Sequence, residues 1–331
     1  MKLLLYPEVE PARLQRIESV ANDVTLINAT SLDEALLAMP QADAFFGKMT
    51  PALLARAESL RWVQAPTASL EHYMFPELVA HRCVLTNMRG IFSDVIADQV
   101  MGYVICFARH LHTYIRNQQT RLWQPHGGEA ARVSFTTGPG IVNNIDRAHK
   151  QLSDTTLGVV GFGSIGAEVA RRASAFGMRI LAVDARPKNV SSPIVWPLER
   201  LPDLLAQSDF VVLAAPHTPE TAGWFTMKQW RLMKPGSYFI NVGRGAVVVL
   251  QDLVQALQEE RLAGAALDVF EIEPLPADHP LWGFANVIIT PHVAGYSPRI
   301  AERHLDVLLQ NIKRFLRGDE LLNQVDKNAW F

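Results

Sequence analysis

Residues 156–170 read TLGVVGFGSIGAEVA, and residues 178–186 read MRILAVDAR. The first stretch is an apolar run of strand length, then Gly161, Gly163 and Gly166, then a helical pattern. Each glycine answers a different steric demand. Gly161 permits the tight turn, Gly163 lets backbone approach a pyrophosphate, and Gly166 lets the helix pack closely on the strand. The free amides of Ser164 and Ile165 and the positive end of the helix dipole then favour an anion. Asp184 ends the second strand, where it can accept hydrogen bonds from an adenosine ribose while its charge opposes the extra phosphate of NADP. NAD is therefore the expected cofactor and NADP the less favoured one, although Arg186 stands just beyond Asp184. A GxGxxG string alone also marks ordinary turns. The strand before it, the helix after it and the acid beyond make this one a dinucleotide-binding unit.

Outward from this unit, strand and helix signals alternate in both directions. On the N-terminal side LLLY from Leu3, DAFF from Asp43, RWVQ from Arg61 and CVLTN from Cys83 are short apolar runs of strand length. Between them Ser31 with Glu34 predicts a capping box, and Thr50 with Pro51 an N-cap and N1 proline. This region is a βα-alternating domain without a glycine fingerprint of its own. From Thr156 onward TLGVV, RILAV, FVVLA, YFINV, AALDV and VIIT predict six parallel strands, a full dinucleotide-binding sheet. Between the two regions, SDVIADQVMGYVICFARHLHTYIR from Ser93 predicts one long, largely buried helix. The stretch from Leu122 to Leu152 has no clear periodicity and reads as a surface arm or a functional loop. SPRIAERHLDVLLQNIKRFLRG predicts a closing helix with Ser297 as N-cap, Pro298 at N1 and Gly318 as its stop.

The bulk properties fit an ordinary globular protein. Its 331 residues suffice for about two domains. A net charge of −2 gives no global attraction to nucleic acid or to an anionic membrane. No run approaches the ~20 apolar residues of a membrane span, and MKLLLYPEVEP is too short an apolar start for a signal peptide. Cys83 and Cys106 lie in apolar runs, which predicts buried thiols in a reducing cytoplasm. No metal site is expected: no Cys and His spacing suits zinc, and His110 and His112, two apart on the predicted helix, would not face each other.

Three later segments each end a predicted strand with polar residues: INVGRGA with Arg244, ALDVFEIEPLP with Asp268 and Glu273, and ITPHVAGYS with His292. In open α/β sheets the ligand crevice lies outside the carboxyl ends of the strands, so all of them would face the nicotinamide end of the cofactor. Singly, each has an ordinary alternative as a turn or solvated residue. Together, in this order behind a cofactor fingerprint, they read as a catalytic site. Arg244 offers a planar fork of donors for a carboxylate. His292 can give and take a proton near neutral pH, and Glu273 beside it would fix the ring and stabilise its charged form.

The ordered set GFGSIG, VDAR, NVGRG, LDVFEIEPLP and TPHVAGYS resembles the D-isomer-specific 2-hydroxyacid dehydrogenase family, over essentially the whole chain. The resemblance implies two doubly wound parallel-sheet α/β domains: a Rossmann NAD-binding domain, residues 97–297, inserted into a flavodoxin-like catalytic domain, residues 1–96 and 298–331. The active site would lie in the cleft between them. It implies an NAD-dependent interconversion of a small 2-keto acid and a D-2-hydroxy acid, with Arg244, Glu273 and His292 catalytic. Cofactor contacts would come from Gly161, Gly163, Ser164, Ile165, Gly166, Asp184, Thr218, Val242, Gly243, Arg244, Asp268, His292 and Gly295. QAPTASLEH resembles the family loop that presents amides to the substrate carboxylate, which adds Ala68, Ser69 and Leu70 to Arg244 and His292 as substrate contacts. The family commonly has glycine where Ser69 stands, and Lys48 would lie near the same cleft. A homodimer is implied, with the helix from Ser93 near the contact and the arm around residues 125–150 joining it.

Relatives with other roles are weighed on particular residues. Formate dehydrogenases of this scaffold use glutamine where this chain has Glu273. NADH-binding corepressors of the family can retain the catalytic residues, but neither end here carries a disordered partner-binding extension. Phosphoglycerate-acting relatives often carry a regulatory domain for which the sequence after the closing helix leaves no room; a short form without it stays open.

Overall fold

In the computed structural model, which describes residues 1–21, 24–133, 140–187 and 193–331, the apolar runs form two parallel sheets. The chain divides into two units, Met1–Phe92 with Ser297–Phe331, and Ser93–Tyr296. In the first unit, β1 (Lys2–Leu5), β2 (Thr25–Asn28), β3 (Ala44–Phe46), β4 (Trp62–Gln64) and β5 (Val84–Thr86) take the order β2-β1-β3-β4-β5. That is the flavodoxin-like arrangement. Leu3, Leu4 and Leu5 are all buried, because a parallel sheet is covered on both faces. Leu3 and Leu5 pack with Ile17 and with Leu305, Leu308 and Ile312 of the helix Ile300–Arg317. Leu4 packs with Ala35, Met39 and Leu53 on the other side. Buried Asn311 pins that closing helix: its amide nitrogen donates to Gln64 Oε1 at 2.9 Å, and its oxygen accepts from the Leu322 amide at 2.7 Å.

In the second unit, β6 (Thr156–Val160), β7 (Arg179–Val183), β8 (Val195–Trp196), β9 (Phe210–Leu213), β10 (Tyr238–Asn241), β11 (Gly264–Leu267) and β12 (Val287–Ile289) are all parallel. Their order is β12-β11-β10-β9-β6-β7-β8. Strand order reverses between β6 and β9, and a ligand crevice belongs outside the carboxyl ends of the strands at such a switch point. Six of these strands are the predicted ones. The seventh, β8, is a two-residue edge too short to leave a periodic signal.

Several predicted details need correction. The helix from Ser93 is two helices, Ser93–Ala108 and Leu111–Gln119. His110 stands between them with φ of 55°, a left-handed conformation that ends a helix. Its Nε2 lies 2.7 Å from the Ala148 carbonyl, and its ring stacks on His126 with centroids 3.8 Å apart. His149 meets the same ring edge-on at 5.3 Å. Because the helix breaks there, the spacing argument fails and the rings of His110 and His112 come within 6.2 Å. Among the described residues, however, no group of three or more His, Cys, Asp or Glu could hold a metal. The closing helix begins at Ile300 rather than at Pro298, since Ser297 Oγ accepts from the Arg299 amide and so caps a turn ahead of the helix. Gly318 ends it in left-handed geometry, as predicted. Cys83 is buried, whereas Cys106 is only partly so; both are free thiols. The predicted arm carries a short helix, Asn144–Ala148, and its residues 134–139 lie outside the described residues.

Candidate active site

The three glycines of the fingerprint are distinguished by what a side chain would meet. At Gly161 φ is +92°, and a Cβ would lie 2.7 Å from the Ala215 amide nitrogen. At Gly166 a Cβ would lie 2.1 Å from the Gly161 carbonyl oxygen. Both positions admit only glycine. At Gly163 nothing stands within 4 Å of the Cβ position, so the start of the helix Ser164–Ala175 faces open space. Asp184 at the end of β7 is fixed onto this loop: Oδ2 accepts from the Phe162 amide at 2.6 Å and Oδ1 from the Arg186 amide at 2.8 Å. An ionised carboxylate has about four acceptor positions, so two remain for a ligand. An open cradle, helix amides and a held carboxylate fit a dinucleotide.

Arg244 follows β10 in a turn that cannot drift. A Cβ on Gly243 would meet the Ala215 carbonyl at 2.6 Å, and one on Gly245 would meet the Phe270 carbonyl at 1.9 Å. The two flanking glycines therefore press the turn between the chain leaving β9 and the chain leaving β11. Asn241 closes it, accepting from the Gly243 amide at 3.1 Å and donating to the Arg244 carbonyl at 3.2 Å. Asn241 is buried and was not predicted; its Asn-x-Gly spacing is a recognisable turn signal. Val242 is buried, and Arg244 is partly exposed with one guanidinium nitrogen 2.8 Å from the Gly243 carbonyl.

His292 and Glu273 come together directly: Nδ1 lies 2.7 Å from Oε2. The other carboxylate oxygen of Glu273 accepts from the Phe270 amide at 2.9 Å, which fixes its direction. An ionised carboxylate only accepts, so Nδ1 carries hydrogen and Nε2 is the nitrogen left to face a ligand. His292 has φ of 54°, an unusual backbone for a non-glycine residue. Asp268, at the end of β11 and only 2% exposed, supports that turn. Its Oδ1 accepts from Thr290 Oγ1 at 2.5 Å and from the Val293 amide at 3.0 Å, and its Oδ2 from the Ala294 amide at 3.0 Å. Gly295 follows directly. Thr218 is buried and spends its hydroxyl on Glu220 Oε2 at 2.8 Å, which holds that carboxyl below its ordinary range.

The predicted substrate loop belongs to the other unit. Thr67 Oγ1 donates to the Ser69 carbonyl and Asn87 Nδ2 to the Ala68 carbonyl, both at 2.7 Å, and Leu70 is buried. Among the described residues Ser69 is not one with positive φ, so serine meets no backbone penalty where glycine was the expected residue. Lys48 Nζ sits 5.4 Å from the centre of the Tyr73 ring.

Comparison with known proteins identifies the family. The family described as D-isomer specific 2-hydroxyacid dehydrogenase, NAD binding domain, matches residues 101–294. The glyoxylate reductase of Thermofilum pendens is 32% identical over 82% of this chain and 76% of its own length. The glyoxylate/hydroxypyruvate reductase B of Escherichia fergusonii is 29% identical over 99% of this chain and 97% of its own. A D-isomer specific 2-hydroxyacid dehydrogenase of Xanthobacter autotrophicus, solved with NADPH and MES, superposes with a TM-score of 0.79 at 27% identity, covering 99% of this chain and 98% of that one. The chain belongs to the D-isomer specific 2-hydroxyacid dehydrogenase family and is an oxidoreductase with an NAD-binding domain.

Proposed function

We propose that this enzyme reduces a small 2-keto acid, of the size of glyoxylate or hydroxypyruvate, to the D-2-hydroxy acid, and runs the reverse oxidation. The observation that carries this reading is the 2.7 Å pair of His292 and Glu273, which follow β12 and β11, with Arg244 following the neighbouring strand β10. A nicotinamide cofactor, when bound, supplies the hydride. Arg244 holds the substrate carboxylate with two parallel donors and polarises the neighbouring keto oxygen. His292 gives that oxygen a proton from Nε2 during reduction and takes it back during oxidation. Glu273 keeps the ring oriented through Nδ1 and balances its charge. Gly161, Gly163, Ser164, Ile165 and Gly166 would hold the pyrophosphate, and Asp184 the ribose. Asp184 also favours NADH over NADPH, although the Xanthobacter neighbour holds NADPH. The amides of Ala68, Ser69 and Leu70 are proposed as further carboxylate donors.

The test is a panel of 2-keto acids run with both reduced cofactors. Turnover with NADH is expected, and a clear NADPH preference would show that Asp184 does not decide the cofactor. Tight NADH binding without turnover on any acid would favour a nucleotide sensor instead. The same reading makes the protein a cytoplasmic homodimer. In support, Ile115, Leu122, Trp123, Ile141 and Val142 of the second unit are exposed large apolar residues. A monomer in light scattering would remove the dimer.

A further inference from the structure

Behind the His292 turn a hydrogen-bonded chain runs back into the helix Ser93–Ala108. Gln99 Nε2 donates to the Tyr103 hydroxyl at 3.0 Å, and that hydroxyl lies 2.5 Å from Thr290 Oγ1. Thr290 Oγ1 lies 2.5 Å from Asp268 Oδ1, whose carboxylate also holds the Val293 and Ala294 amides that directly follow His292. The direction of every bond in the chain is forced. Thr290 donates its one hydroxyl proton to Asp268, so the Tyr103 proton must point to Thr290, and Gln99 fills the remaining Tyr103 acceptor position. Tyr103 is 3% exposed, and burial pushes its phenol upward, so the group stays a donor.

From this geometry we propose that Tyr103 and Thr290 are positioning residues for the catalytic histidine. They hold Asp268 in the rotamer that clamps the 290–294 turn and hence the His292–Glu273 pair. The proposal rests on the reading of His292 as the acid and base, and it adds a helix residue 187 positions from Thr290 to the machinery. A fully satisfied polar chain of this kind rigidifies what it holds, while an incomplete one leaves Asp268 free to turn away.

The test uses Tyr103→Phe, Thr290→Val and Thr290→Ser in the full chain, with Tyr238→Phe as a control for loss of another buried phenol. Tyr103→Phe and Thr290→Val are expected to lower kcat by on the order of tenfold to a hundredfold while KM for NADH and keto acid stays level, because only the reacting geometry is loosened. Thr290→Ser restores the hydroxyl and should restore kcat; Tyr238→Phe should leave it intact. Independently of turnover, amide exchange over residues 288–296 should quicken in Tyr103→Phe and Thr290→Val and not in the control. Unchanged exchange, or quickened exchange with unchanged kcat, would overturn the proposal. Absence of turnover in the unaltered protein would sink the functional reading instead, and the exchange measurement would still decide the clamp. If Tyr103→Phe folds poorly, the Thr290→Val and Thr290→Ser pair decides by itself.

Discussion

At His292, backbone and side chain are constrained together. A left-handed φ of 54° costs a non-glycine residue on the order of 1 kcal/mol, which the Asp268 bonds to the following amides offset. Asparagine tolerates that backbone better than most residues, so His292→Asn removes the acid and base with little structural penalty. We expect kcat to fall by roughly 10²- to 10⁴-fold, with NADH affinity, read by fluorescence titration, changing far less. Arg244→Lys makes the complementary point. It keeps the charge and loses the planar fork, so kcat/KM for the keto acid should fall on the order of 10²-fold, with NADH binding changing far less, as steady-state kinetics would show.

At the scale of elements, the glycines make opposite predictions. Gly245→Ala must displace the Phe270 backbone and should cost about 3 kcal/mol, or roughly 6–12 °C in Tm. Gly163→Ala meets nothing and should leave stability within about 0.5 kcal/mol of the original, yet it fills the cradle and should weaken NADH binding at least about tenfold. Calorimetry beside a cofactor titration separates the two. Such sites were legible because glycine spacing records steric demand directly. Six of the seven strands of the second sheet were legible for a similar reason, their apolar runs being long enough to count. β2 was not: TLIN offers two apolar residues on a half-exposed edge. The break at His110 also left no signal, since the Ala148 carbonyl and the His126 ring that hold it come from a segment without periodicity. Tyr103 and Thr290 meet only through the fold, so no local pattern could name them.

For the whole molecule, acid sensitivity follows from its imidazoles. Burial lowers the pKa of His81, His110, His112, His126 and His304 below 6.5, with neighbouring charges adding to it. The unfolded chain therefore takes up protons before the folded one, and stability is lost as pH falls through about 6.5 toward the folded values. Thermal scans should show Tm dropping between about pH 7.5 and 5.5. His126→Phe keeps the stack on His110, removes a buried nitrogen without a partner, and should flatten part of that slope. The discontinuous first unit carries a different consequence, for the order of birth. Its sheet is synthesised first, but Leu305, Leu308 and Ile312, which cover Leu3 and Leu5, emerge only after Ser93–Tyr296. At about 5–20 residues per second the ribosome imposes a wait of roughly 10–40 s. The unit begun second is thus the first that can be finished, and the nascent chain needs shelter for its opening strands until its closing helix is made.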